Sequence, residues 1–255
     1  MGVFRLKPAT GYDISPVTRG SVPIVGLVHV TSPAVLPSFA RCFTVVSTPD
    51  TDWGALDVPE GLRAAVPSRR REFLAGRYCV ARAMELLDPT GSHPPVGRQS
   101  DGNPEWPDGV TGSVTHTGTF AWAAVAFASD ARGIGIDSER LRRFDDPARL
   151  ARHIMRPDEA AVGGPELDDR LRLPLVFSAK EAIFKCLYPL VGRRFYFEDA
   201  AIEDIDMTAG TFRARPASAL APGVGPGLRI EGQFAFESDH VHTAVWLPAA
   251  VGFGL

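Results

Sequence analysis

Apolar and polar positions follow two rhythms along this chain. From residue 68 to 87, SRRREFLAGRYCVARAMELL, Phe73, Val80, Met84 and Leu87 fall on one stripe at helical spacing, and Arg77 lies inside it. Pro89, Gly91, Pro94 and Pro95 end this helix and open a turn-rich loop that runs to Pro107. A second helix is predicted over 175–187, where Phe177, Glu181 and Phe184 share a stripe that Tyr188 extends. Glu181 thus interrupts an apolar stripe much as Arg77 does in the first helix.

Strand-like patterning fills most of the rest. The charge-free run 114–127, dense in Thr, Val, Ala, Phe and Trp, predicts a buried hairpin around Thr117-Gly118-Thr119. A short strand over 134–136 leads into a polar, Arg- and Asp-rich connection through Asp169. Further strands are expected around 195–205 and 212–215, then a hairpin over 228–247 turning at Ser238-Asp239. Residues 1–33 show no sustained periodicity and read as an arm or extended segment. With a boundary at Arg132-Gly133, the expected organisation is an arm over 1–33, a first lobe over 34–131 and a second over 132–255. LAGRYCVAR (74–82) can be laid over FSAKEAIFK (177–185), which hints at two related α/β halves with a ligand cleft between them.

Composition sets limits on this picture. At 255 residues, with 45% apolar and 22% charged side chains, the chain can bury a core and falls outside the disordered and fibrous classes. A formal charge of −3 argues against a general polyanion binder, so any phosphate recognition must be local. Cys42, Cys79 and Cys186 are scattered, which offers neither a disulfide framework nor a zinc knuckle and fits a reducing, cytoplasmic setting. The charge-free run 20–40 carries Pro23, Pro33 and Pro37, which speaks against a membrane span, and no signal peptide is recognisable.

Several side chains could carry chemistry. Asp137 and Glu139 lie at i and i+2, which on an extended segment places both on one side; such oxygen donors suit Mg²⁺, or else form a solvated strand end. Glu181, in its apolar stripe, needs a partner: Lys185 at i+4, or a metal shared with Asp137 and Glu139. His116 sits in the charge-free hairpin, where a hydrogen-bonded core histidine is the ordinary reading. Arg69, Arg70 and Arg71 open the first helix as a solvated face or a phosphate site. There is no GxGxxG, Walker loop, HExxH or GxSxG, and few aromatics accompany the basic cluster, against single-stranded nucleic-acid binding.

In order along the chain, RRREFLAGR (69–77), GNPEWPDGVTGSVTH (102–116), GIGIDSE (133–139) and FSAKEAIFKCLYPLVGRRFYFEDA (177–200) resemble the Sfp/EntD-type 4′-phosphopantetheinyl transferases, most closely the larger actinobacterial-type enzymes. The resemblance runs from about Val35 to the C-terminus. It implies an α/β (α+β) fold of two similar, pseudo-symmetric lobes in one monomer, with coenzyme A and Mg²⁺ in the cleft. It also implies a reaction, transfer of phosphopantetheine from coenzyme A to a serine of an apo carrier protein of polyketide, nonribosomal peptide or fatty acid synthesis. Carried over by position, Asp137, Glu139 and Glu181 would hold Mg²⁺, with Asp137 and Glu181 thereby also facing coenzyme A. Arg69 and Arg77 would bind coenzyme A phosphates, Thr115 and His116 the nucleotide phosphates, and Lys185 the pyrophosphate, with Lys180 as a further contact. Glu181, Lys185 and His116 would be the catalytic set, Glu181 as base for the serine hydroxyl.

Three departures are visible. The loop Ser100-Asp101-Gly102-Asn103 lacks the basic residue common before Pro104, so a cationic clamp there rests on Arg98. Residue 138 is Ser where a small apolar residue is commoner, its side chain expected to point away from the metal. Residues 1–33 have no recognised counterpart. Arg140, Arg142 and Arg143 are candidate docking residues for an acidic carrier, or simply a solvated face. The alternatives to turnover are a coenzyme A- or carrier-binding protein without catalysis and a carrier-independent, Mg²⁺-dependent nucleotide pyrophosphatase.

Overall fold

A computed structural model describes residues 15–19, 22–53, 58–91, 95–99, 101–144, 147–165 and 167–249. Expectations that fall on residues 1–14, Pro94 and Ser100 lie outside these. The described chain is mixed α/β and forms two compact units, one from the residues up to 32 and from 38 to 126, the other from 33–37 and from 127 onward.

In the first unit, β1 (Ser15–Arg19), β2 (Val22–His29), β3 (Arg41–Ser47), β6 (Val110–Thr117) and β7 (Phe120–Phe127) form one sheet in the order β1-β2-β3-β7-β6. A short helix α1 (Glu60–Arg63) precedes α2 (Pro67–Leu87), and the two-residue strands β4 (Gly97–Arg98) and β5 (Pro104–Glu105) pair between α2 and β6. Strands β1 and β2 lie in the segment expected as an arm or extended chain; Pro16, Pro23 and the left-handed Gly26 (φ +76°) hide their alternation. The expected hairpin is present, with a two-residue loop and Gly118 at φ +62°, the positive-φ position such a turn needs.

Helix α2 begins on Pro67, whose missing N–H costs nothing at a first turn, and stops at Asp88, which the following proline drives out of the helical region. Its buried face is Leu74, Ala75, Gly76, Cys79, Val80, Ala83 and Met84, rotated from the predicted stripe. Small residues bring the helix close to β3 and β6, so Phe73 and Leu87 move to the flanks.

In the second unit, β8 (Ala131–Arg140), β9 (Ala200–Asp206), β10 (Thr211–Pro216), β11 (Ile230–Glu237) and β12 (His240–Pro248) form an antiparallel sheet in the order β8-β12-β11-β10-β9. The hairpin turn falls at Ser238-Asp239 as expected, with Ser238 at φ +55°. The polar connection after β8 is more ordered than its composition suggests. It holds 3-10 turns at Leu141–Phe144 and Pro157–Glu159 and a helix, α3 (Pro147–Ile154), whose Leu150, Ala151 and Ile154 pack on the same core as the next helix.

That helix, α4 (Asp169–Val191), is longer than predicted at both ends and contains Pro174 and Pro189. The Asp168 carboxylate accepts from Arg170 N (2.8 Å) as an N-cap, and Gly192 (φ +68°) closes the C-terminus. Its predicted stripe is the half-buried edge. The fully buried face is the neighbouring one, with Val176, Ala179, Ala182, Ile183, Cys186 and Leu187 against β8 and β12. Among the described residues, no helix is long and apolar enough to cross a membrane, and Cys42, Cys79 and Cys186 are free thiols.

Candidate active site

The first unit supplies an anion-handling set. Arg69, in the first turn of α2, places Nη1 3.3 Å from His116 Nε2 on β6. Glu72, which the sequence reading passed over, has Oε2 3.6 Å from both Arg69 Nη1 and His116 Nδ1. Its position at i+3 from Arg69 was the available signal. His116 is thus held between a guanidinium and a carboxylate, on a half-buried edge rather than in the core. Thr115 is buried beside it.

Arg77 is held in place by backbone. Its Nη1 donates to Val96 O (2.8 Å) and Gly97 O (3.1 Å), and its guanidinium lies 5.1 Å above the Phe73 ring. Burial, with the charge of Arg98 added, makes its cationic form harder to keep than usual. Arg98 turns toward its own loop, donating from Nε to Gly102 O (3.2 Å), while Asp101 accepts from the Asn103 backbone N–H and side-chain amide. Two cations therefore stand close together on the structure expected to meet nucleotide phosphates.

The second unit carries the carboxylates. Alternation on β8 turns Gly133, Gly135, Asp137 and Glu139 to the face covered by α4, and Ile134, Ile136 and Ser138 to the other. A methyl group on Gly135 would collide with the Ala182 carbonyl, so the glycines let the helix backbone ride directly on the strand. This brings Lys185 Nζ to 2.7 Å from Asp137 Oδ1 and 3.1 Å from Ile136 O. Arg143 Nη1 donates to both oxygens of Glu139, each at 2.8 Å.

The electrostatics follow from this crowding. Burial, reinforced by the Asp137 charge, pushes the Glu139 carboxyl up to about 7 despite Arg143 and Lys185. Glu181, on α4, is also raised, first by burial and then by Asp137, with Lys185 and Arg143 opposing. Asp137 is the shared neighbour that makes both other carboxylates more basic. On the reverse face Ser138 Oγ bonds His242 Nδ1 (2.8 Å), so its side chain points away from the carboxylates as expected. His242 is fully buried, which holds its pKa down at about 3.

Lys180, expected as a further coenzyme A contact, is 2% exposed and donates from Nζ to Glu159 Oε2 (2.6 Å), Ile154 O (2.9 Å) and Phe197 O (3.0 Å). Glu159 also accepts from Arg156 N and Ile202 N (2.7 Å each). The ammonium is consumed in tying α3, α4 and the segment before β9 together. The sequence reading missed this because Glu159 lies 21 residues away.

Among the described residues no three His, Cys, Asp or Glu side chains converge as a metal cluster. The side chains of Lys185 and Arg143 sit on Asp137 and Glu139 instead. A cavity of about 260 Å³ opens beside Glu181, walled by Lys180, Phe184, Arg194, Phe195, Tyr196 and Phe197. Two larger grooves along β9–β11, lined in part by Arg213 and Glu231, include none of the expected site residues.

Comparison with known proteins identifies the family. Residues 58–126 match the model of the 4′-phosphopantetheinyl transferase N-terminal domain, and residues 133–242 match that of the 4′-phosphopantetheinyl transferase superfamily. The chain is 38% identical over 233 residues to 4′-phosphopantetheinyl transferase Svp of Streptomyces mobaraensis, covering 86% of this chain and 90% of the relative. It is 34% identical to 4′-phosphopantetheinyl transferase Npt of Nocardia iowensis, over 74% of this chain and 92% of the relative. It is also 34% identical to enterobactin synthase component D of Salmonella typhimurium, over 49% and 50%. With both domain models matched in order and one relative aligned over nearly its whole length, the chain belongs to the 4′-phosphopantetheinyl transferase family.

Proposed function

We propose that this protein transfers the phosphopantetheine arm of coenzyme A to a serine hydroxyl of an apo carrier protein, releasing adenosine 3′,5′-bisphosphate. Beyond family membership, the observation that carries this reading is Glu181, a carboxylate made more basic by burial and by Asp137, close to Lys185 and opening on a cavity with four aromatic walls. In the transfer, the serine oxygen forms a bond to the phosphorus bearing the pantetheine arm. The bond from that phosphorus to the oxygen of the adenosine bisphosphate breaks. The serine proton passes to Glu181 and then to solvent.

Lys185 would leave Asp137 for the pyrophosphate, and Arg69, Arg77 and His116, with the Thr115 hydroxyl, would meet the nucleotide phosphates. The aromatic-walled cavity suits the uncharged arm. Asp137, Glu139 and Glu181 would hold Mg²⁺: all are oxygen donors, and the repulsion that Asp137 exerts on Glu139 and on Glu181 is the kind a divalent cation relieves. Bound there, Mg²⁺ would neutralise charge on the pyrophosphate oxygens.

The test is intact-protein mass spectrometry of an apo carrier domain incubated with this protein, coenzyme A and Mg²⁺. A gain of one phosphopantetheine arm, lost with EDTA and with a carrier serine-to-alanine variant, is expected. No gain across fatty acid, polyketide and peptide carriers, with coenzyme A still bound, would leave a binding protein. Adenosine bisphosphate released without any carrier would mark a pyrophosphatase.

A further inference from the structure

We propose that Arg143 is an intramolecular counter-ion that competes with a divalent cation for Glu139 and so sets how tightly the carboxylate site takes metal, an inference that rests on the metal role proposed above. Glu139 is nearly enclosed, its side chain 9% exposed, and both its oxygens accept from Arg143 Nη1 at 2.8 Å. The guanidinium itself is 62% exposed and lies 5.7 Å over the Phe177 ring, so it is held from two sides without being buried.

A cation that binds through the Glu139 oxygens must first displace that guanidinium. Asp137 carries its own chain-borne cation, but Lys185 has a second anion to move to once pyrophosphate is present. In the substrate-free protein each carboxylate of the strand pair carries a cation from the chain itself, Lys185 on Asp137 and Arg143 on Glu139. Without Arg143, Glu139 remains buried beside Asp137 with less positive charge in range, so the next cation to arrive is bound more strongly.

The experiment is a Mn²⁺ titration followed by electron paramagnetic resonance, without substrates, well above pH 7 so that Glu139 is ionised in every variant. Arg143→Gln should bind Mn²⁺ about two- to fivefold more tightly than wild type, the range open to an ion pair whose cation is largely exposed. Arg143→Lys should stay near wild type. Arg142→Gln changes net charge equally but removes a cation paired with Asp239 (3.3 Å), and should leave affinity unchanged. Unchanged or weaker binding by Arg143→Gln, or equal tightening by Arg142→Gln, overturns the competition while leaving the metal site standing. If Asp137→Asn binds Mn²⁺ as wild type does, the carboxylate site fails and the role of Arg143 falls with it.

Discussion

Lys185 Nζ on α4 and Asp137 Oδ1 on β8 are joined at 2.7 Å, a tie between the helix that carries Glu181 and the strand that carries the other two carboxylates. The bond exists because the facing backbone of β8 is glycine two and four residues earlier, at Gly135 and Gly133. A side chain at either position would lift α4 and separate the charged groups.

Gly135→Ala should therefore damage both fold and site. The added methyl would collide with the Ala182 carbonyl and crowd the Cys186 N–H, backbone atoms that cannot rotate away. Overpacking of this kind costs about 1–3 kcal/mol, and a displacement near 1 Å at the carboxylates lowers transfer on the order of 10²-fold. Urea denaturation and the carrier mass assay read the two effects; a variant with the wild-type midpoint and rate would disprove the packing argument.

Glu181→Gln keeps the shape of the side chain but removes its basicity and its charge. Transfer should fall by at least ~10²-fold, the usual contribution of a general base, with the circular dichroism spectrum and melting point close to wild type. Full activity in this variant would remove Glu181 from both the base and the metal roles.

Lys180 separates a structural from a binding role. Its ammonium and Glu159 are both buried, and removing one partner strands the other: Lys180→Ala should cost about 3–5 kcal/mol of stability. Coenzyme A affinity of the molecules that remain folded, measured by calorimetry, should stay unchanged. Weaker affinity with little loss of stability would restore the contact role that its burial argues against.

Much of this arrangement is legible in the sequence because local pattern determines it. The Asp137-Ser138-Glu139 alternation, the helical placement of Arg69 and Arg77, and both hairpin turns with positive φ at Gly118 and Ser238 follow from spacing and turn chemistry. What escaped is set by packing between distant segments. Helix α4 continues through Pro174 because the N-cap at Asp168 and the buried Arg172, which donates to the Val162, Gly164 and Leu167 carbonyls, anchor its first turns. The buried stripes of α2 and α4 are rotated because small residues, not the largest ones, face the sheets. Lys180 looked available because its partner lies on another element, and β1 and β2 looked irregular because prolines and a left-handed glycine break their alternation.

The pH dependence of stability should report on Glu139. Its carboxyl titrates at about 7 in the folded protein against an ordinary 4.5, so between these values the native state holds a proton that the unfolded chain has released. Stability from this group is complete below about 4.5 and is lost as pH rises through about 7. Glu181 is shifted in the same direction and adds to the slope. Glu139→Gln, which mimics the protonated form and cannot ionise, should gain on wild type by on the order of 1–3 kcal/mol as pH rises across that window. On the proposed metal role, added Mg²⁺ should flatten the wild-type curve, because it would bind the folded chain and not the unfolded one. Parallel curves for wild type and variant, from urea melts across this range, would mean that Glu139 is ionised throughout and that Arg143 outweighs its burial.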